Sequence, residues 1–470
     1  MNTSIATTSA TPAAAGVDQA ALERTVNEVR ATYRSGRTRP LSWRVAQLNG
    51  LLQFIDECED EIAAAIESDL GRGPMASFMA DIGPVRHEIR HTLARLPRWV
   101  RPTRVPVSAA TAPGRAWTQP EPKGVVLILG TWNFPLLLTI QPLVSALAAG
   151  NAAVIKPSDM ASATARVIAE RLPRYVDPTA VAVVLGDGKV NRALLTLPFD
   201  HTFFTGSTTV GKAVMAASAA HLTPVTLELG GKSPVIVAAD ADIDVAARRI
   251  AWAKSINCGQ TCIAPDYVIV EESVRPRLVE RLLIELPKRF AADTTHIVNQ
   301  RQFDRLERVL GSHGGQQTGG ELDRAGLRIA PALVTDPALD SELMTEEIFG
   351  PILPLVSVPD VAAAVDFIAD RPKPLALYLF TGSRKVEEQV LSGTSSGAVG
   401  INHLLYQLLV PELPFGGVGD SGLGRYHGEH GFNTFSHHKA VLRKSTRGDL
   451  RLTYPPYGKT MQRILRKVMG

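Results

Sequence analysis

Cysteine is scarce: Cys58, Cys258 and Cys262 are the three in 470 residues. So few cannot build a disulfide framework, and their spacing lacks the paired pattern of a structural zinc site. A reducing cytoplasm is therefore the expected home, and no metal centre is expected. Long apolar runs are also missing. The most apolar stretch, from Pro135 to Ile155, is broken by Gln141, Pro142 and Asn151, and falls short of the roughly 20 apolar residues that a spanning helix requires. Met1 to Ala20 is rich in Ala, Ser and Thr but has neither the basic start nor the apolar core of a secretory signal, and reads as a loose tail. Net charge is small, at +4, which gives no reason to expect nucleic acid as the main partner. That charge is uneven, because the 28 residues from Arg443 to Gly470 hold eight Lys or Arg against one Asp, leaving the rest close to −3.

What is present suits an ordinary globular protein: 45% hydrophobic and 20% charged residues. The length favours about three domain-sized units. From Val125 onward, short strand-like runs (Val125 to Gly130, Ala152 to Ile155, Val181 to Leu185, His201 to Gly206) alternate with helical stretches (Leu136 to Ala149, Ala163 to Tyr175, Gly211 to Ala220). Strands joined by helix-length crossovers predict a parallel sheet covered on both faces. The alternation resumes past Gly231, with strands near Pro234 to Val237 and Tyr267 to Glu271, and helices over Val245 to Lys254 and Val274 to Arg289. The fold class is therefore α/β, with two doubly wound lobes. A helical region precedes them, over Gln19 to Asp69 and Pro84 to Leu96. Pro102 to Glu121 is rich in Pro, Val and Thr and suits an extended excursion, since its prolines cannot donate ladder hydrogen bonds.

Cys262, in Asn257-Cys258-Gly259-Gln260-Thr261-Cys262, and Glu228, in Leu227-Glu228-Leu229-Gly230-Gly231-Lys232, pair a candidate thiolate with a candidate base. They are too far apart in sequence for a local turn, so they meet only through tertiary structure. Thr131-Trp132-Asn133-Phe134-Pro135 directly follows the first strand, at the edge where ligands approach a parallel sheet. There the Asn133 amide suits a developing oxyanion, and a simple turn before Pro135 explains it as well. Lys156-Pro157-Ser158-Asp159 brings a cation and a carboxylate to the same edge, suited to ribose hydroxyls or to a solvated loop. Phe203 to Lys212 turns from strand to helix through Gly206 and Ser207 and offers backbone N–H groups to phosphate. Helix capping by Ser207 or Thr208 is the alternative.

Taken in order, Trp132-Asn133-Phe134-Pro135, Gly206-Ser207 with Gly211, Glu228-Leu229-Gly230-Gly231-Lys232, Gly259-Gln260-Thr261-Cys262, Glu346-Glu347-Ile348-Phe349-Gly350-Pro351 and Pro414-Phe415-Gly416-Gly417-Val418-Gly419 resemble the aldehyde dehydrogenase superfamily. The likeness is to its class 3 branch of fatty, aromatic and coniferyl aldehyde enzymes, and it runs from about Val26 to Tyr457. It implies NAD(P)-dependent oxidation of medium or long-chain aliphatic, or aromatic, aldehydes to acids through a cysteine thiohemiacetal and thioester. In that scheme Cys262 is the nucleophile, Glu228 the base that activates water, and Asn133 the oxyanion donor. The cofactor, NAD or NADP, falls to Trp132, Lys156, Asp159, Gly206, Ser207, Gly211, Leu229, Gly230, Glu347 and Phe349, and the substrate to Trp252 and Thr261. Cys258 is read as structural. Asp159 stands where the family usually has glutamate, and a shorter carboxylate leaves room for a 2′-phosphate.

The resemblance also divides the chain: 21–101 with 123–229 as dinucleotide-binding domain, 230–410 as catalytic domain, 102–122 with 411–450 as a small β bridging element, and 1–20 and 451–470 as tails. Bridging elements of this kind imply a homodimer. Met461, Ile464, Leu465 and Val468 recur at helical spacing, with Arg463, Arg466 and Lys467 in the other sectors. That amphipathic pattern suits docking on a sister subunit or weak contact with an anionic membrane. Two other readings stand beside oxidation to the acid: a dehydrogenase that passes its acyl group to coenzyme A, and a catalytically silent nucleotide-binding protein.

Overall fold

A computed structural model describes residues 17–108, 111–291, 294–447 and 454–469. Two parallel sheets dominate it. The first runs in spatial order Gly422–Leu423, Val225–Glu228, His201–Thr205, Val125–Leu129, Ala152–Lys156 and Val181–Val183, parallel except for the short Gly422–Leu423 edge. Val125–Leu129 and Ala152–Lys156 are buried along their whole length. Continuous apolar runs of this kind are what a sheet covered on both faces demands. The covering helices include Leu137–Ala149 on one face and Gln19–Arg34 on the other, whose Val26 and Val29 pack among Val125, Leu127 and Val154. Asp18 caps Gln19–Arg34 by accepting from the Ala21 N–H. This helix starts inside the stretch read as a loose tail. An aspartate before an apolar repeat is a start signal that the Ala-rich composition masks. The remaining tail, 1–16, lies outside the described residues.

The second sheet orders as Gln316–Gly319, Ala332–Thr335, Ile352–Val358, Tyr267–Glu271, Pro234–Val237, Ala376–Phe380 and Ala398–Ile401, with one antiparallel pair at the Gln316–Gly319 edge. A third sheet joins Thr103–Val105, Gly114–Pro122 and Ser436–Lys444. The proline-rich excursion is thus a real strand, but away from the core, and most of Ser436–Lys444 is exposed. Gly422–Leu423, within the segment expected to bridge, pairs with Val225–Glu228 at the edge of the first sheet. Among the described residues no helix is long and apolar enough to cross a membrane.

Candidate active site

Parallel strands all end at the same edge, so the residues that follow them converge there. Asn133 follows Val125–Leu129, Lys156 ends Ala152–Lys156, Gly206 follows His201–Thr205, and Glu228 ends Val225–Glu228. Cys262 approaches that edge from the other lobe, in the turn between the helix Ile243–Ser255 and the strand Tyr267–Glu271. The chain reaches it through a forced backbone: Asn257 (φ 53°) and Cys258 (φ 56°) are both left-handed. Non-glycine residues held this way cost about 1–3 kcal/mol each and persist where the surroundings fix them. Gly259, also left-handed at φ 73°, has no room for a Cβ because the Gly350 carbonyl lies against it. That contact locks the cysteine loop to the Glu347–Phe349 loop.

Cys262 is half-buried, whereas Cys258 is buried among Phe303, Leu306 and Ile348. Burial pushes the Cys262 thiol up to about 12, and the nearby Glu347 and Glu228 carboxylates push it further the same way, while N–H groups of Cys262 and Ile263 pull it down. Glu228 is buried, neither of its carboxylate oxygens has a hydrogen-bond partner, and burial raises its pKa well above the usual carboxylate range. Carboxylate oxygens without a partner are open to a water, and the ionised form can take a proton from it. Asn133 is buried and donates Nδ2–H to the Gln260 carbonyl at 3.1 Å, which leaves one amide hydrogen for another acceptor.

Glu347 is pushed up to about 8, chiefly by burial and next by Asp266, and its Oε1 has no partner. Its carboxylate occupies the space that a side chain at Gly230 would need. Phe349 is held left-handed (φ 52°) with its ring edge-on to Trp132 at 5.4 Å. Across the cleft, Lys156 is buried and pairs with the half-exposed Asp159 at 3.4 Å. Ser207 caps the helix Thr208–Ala219 by accepting from the Val210 N–H at 3.4 Å, so the capping alternative is realised at a helix start that follows the sheet edge. These features fit a dinucleotide: an orphaned carboxylate oxygen for ribose, a cation with a carboxylate for the second ribose, and a helix start for the pyrophosphate.

Three of the candidate ligand residues have a structural role in the fold. Gly211 lies inside the helix, and a Cβ there would meet Leu229 Cδ2 at 2.6 Å, so its smallness serves helix-on-strand packing. Leu229 is that packing partner and buried in the core. The Thr261 hydroxyl donates to the Ile256 carbonyl at 3.4 Å and braces the cysteine loop. Trp252 lies edge-on to His403 (5.6 Å) and Tyr406 (5.8 Å), which stack on each other. Together with Cys262 it borders the main core cluster.

Sequence reasoning gave no role to Tyr426, whose pKa is raised chiefly by burial and further by the charges of Glu228 and Cys262. It also missed the Lys232–Asp266 ion pair. Lys232 donates to the carbonyls of Leu343 and Glu346 at 2.8 Å, and Asp266 accepts from the Ile348 N–H at 3.0 Å, so the pair holds the Glu347 loop from both sides. The lysine of the Gly-Gly-Lys run was the available signal. Among the described residues, no three His, Cys, Asp or Glu side chains gather as metal ligands would.

Comparison with known proteins points the same way. Residues 3–441 match the Aldehyde dehydrogenase family. The mouse protein Aldehyde dehydrogenase family 3 member A2 is 47% identical over 446 residues, covering 93% of this chain and 91% of the relative. The rat protein Aldehyde dehydrogenase, dimeric NADP-preferring is 42% identical, covering 93% and 98%. The substrate-bound structure of Staphylococcus aureus AldH superposes with a TM-score of 0.92 at 38% identity, over 96% of this chain and 99% of that one.

Proposed function

Because the chain belongs to the aldehyde dehydrogenase family and oxidises aldehydes with NAD(P), we propose that Cys262 is its nucleophile, Glu228 its water-activating base and Asn133 its oxyanion donor. One observation carries this reading: the orphaned carboxylate of Glu228, buried where its charge reaches the half-buried Cys262 thiol. Cys262 Sγ, its proton released to solvent, attacks the aldehyde carbon as thiolate, and the new oxyanion meets the free amide hydrogen of Asn133 and the Cys262 backbone N–H. A nicotinamide held beside Cys262 would supply the hydride acceptor that this oxidation needs. A thioester then remains on Cys262. Glu228 takes a proton from water, the resulting hydroxide adds to the thioester carbon, and the C–S bond breaks to free the acid and the thiol. Glu347 would hold a ribose through its unpartnered oxygen, and Phe349 with Trp132 would limit where a nicotinamide could lie.

The substrate is proposed to be a medium or long-chain aliphatic or an aromatic aldehyde, because Trp252, which with Cys262 borders the main core cluster, forms an aromatic surface with His403 and Tyr406. Both cofactors are proposed to serve, since Asp159 is half-exposed and shares Lys156, a cation equally suited to a 2′-phosphate. A steady-state screen of hexanal, decanal, benzaldehyde and coniferyl aldehyde with each cofactor should give kcat/KM values for NAD and NADP within about 1,000-fold. Asp159→Ala should shift the ratio toward NADP by about tenfold. A larger native preference for NAD would rule out dual use.

A cytoplasmic homodimer is the proposed state. The third sheet leaves Val105 and Leu442 exposed, as a surface awaiting a second copy would, and the rat relative is named dimeric. Lys459–Met469 is helical with Arg463, Arg466 and Lys467 exposed, which supports subunit docking or a weak anionic-membrane contact. Truncation before Arg443 should lower co-sedimentation with phosphatidylserine vesicles if the membrane contact operates. Equal sedimentation of both forms would leave subunit docking as the role of the helix.

A further inference from the structure

Arg72 and Asp81 supply none of the motifs above, yet they are sealed in the core where the nucleophile loop meets the oxyanion loop, at 1% and 0% exposure. They form an ion pair with each other. Arg72 Nη1 donates to the Asn133 carbonyl at 3.2 Å and to Asn257 Oδ1 at 3.2 Å, and the guanidinium lies 5.0 Å from the centre of the Phe134 ring. Asp81 Oδ1 accepts from the Leu137 N–H at 2.8 Å. Asn257 extends the grip, donating from Nδ2 to the carbonyls of Asn133 and Gln260, both at 3.0 Å. The Asn133 amide donates to that same Gln260 carbonyl.

A buried ion pair is a weak device for stability, because desolvation of two charges consumes most of their attraction. A rigid planar fork is a strong device for geometry, since its donors cannot shift independently. Here one arm of the fork, Nη1, bridges two loops more than a hundred residues apart in sequence, while the other arm, Nη2, is fixed by Asp81. One loop carries the Asn133 amide and the other leads into the Cys262 N–H. We propose that Arg72, held in place by Asp81, is a positioning residue that sets the separation of these two oxyanion donors. This rests on the assignment of Asn133 and Cys262 given above. Arg72 acts through Asn133 and Asn257 and touches no substrate. Its removal leaves both donors present but lets them drift, and an error of one ångström in such a site costs on the order of 100-fold in rate.

The test starts from Arg72→Met with Asp81→Leu, which removes both charges and leaves no lone ion in the core. The single-turnover NADH burst should slow by about 100-fold, while the KM for NAD stays near that of the native enzyme, and Arg72→Lys, a cation without the fork, should recover about tenfold. The same double replacement in an Asn133→Ala background should slow the burst no further. Loss of the full factor in that background, or a burst within about two-fold of native, would overturn the inference. An unchanged burst in Asn133→Ala alone would instead remove the oxyanion assignment, and the positioning role with it. Should the Met/Leu protein fail to bind NAD, the Arg72→Lys cycle with Asn133→Ala gives the same comparison.

Discussion

Cys262→Ala lowers aldehyde oxidation by about 10,000-fold or more and leaves no single-turnover burst of NADH, as expected when a nucleophile that forms the covalent intermediate is deleted. The protein should still fold. Cys262 is half-buried, and alanine removes one sulfur from a loop whose shape is held by Gly259 against Gly350 and by Asn257. Cys258→Ala is the contrasting change: that side chain packs among Phe303 and Leu306, so its loss should reduce stability by about 1 kcal/mol and spare the burst. Mass spectrometry of enzyme quenched during turnover should place the acyl group on Cys262. An adduct on Cys258, or a burst surviving in Cys262→Ala, would overturn the assignment.

Glu228→Gln is expected to retain the burst and to slow steady-state turnover by about 100- to 10,000-fold, because a positioned general base contributes that much. Product analysis with coenzyme A separates the alternatives. If the native enzyme hydrolyses its thioester, it releases free acid with or without the thiol, and the Gln form accumulates acyl-enzyme. If coenzyme A is the natural acceptor, the Gln form turns over normally in its presence. The pH dependence follows from the same burial. The base is active only as carboxylate and its pKa is raised well above the usual value, so deacylation increases with pH through that raised pKa. The Gln form should lose this dependence.

Stability has the opposite slope. Folding favours the neutral carboxyl of Glu228, so its contribution is fully present below the unfolded value near 4.3 and is lost as pH rises through the folded one. Native Tm should therefore fall across this window more steeply than that of Glu228→Gln. At pH 8 the variant should melt about 1–2 °C higher. Parallel Tm profiles would mean that Glu228 ionises freely in the fold. The group poised for catalysis is thus one that the fold disfavours in its working form.

Much of this molecule can be read along the chain. The apolar runs of Val125–Leu129 and Tyr267–Glu271, spaced by helix-length crossovers, already require parallel sheets, because each element announces its own period over five to fifteen residues. The ordered motifs around Asn133, Glu228, Cys262 and Glu347 give the chemical types and their sequence order. Composition also excludes a disulfide scaffold and a long spanning segment. What a local pattern cannot carry is distance between remote residues. Gly211 and Thr261 have the residue types of ligand contacts, and only their neighbours, Leu229 and the Ile256 carbonyl, reveal packing and bracing.

Arg72 and Asp81 mark the limit most clearly. In the sequence they are an arginine and an aspartate between two helical stretches, the sort of charges normally left in water. Their burial follows from where the first helices pack against the loop carrying Asn133, and the contact with Asn257 closes a separation of 185 residues. The sequence by itself determined the sheet class, the reactive groups and their family. The tertiary structure decided which groups share a charge environment, which glycines serve packing and which buried ions hold the two loops together, since those depend on long-range closure that no local periodicity records.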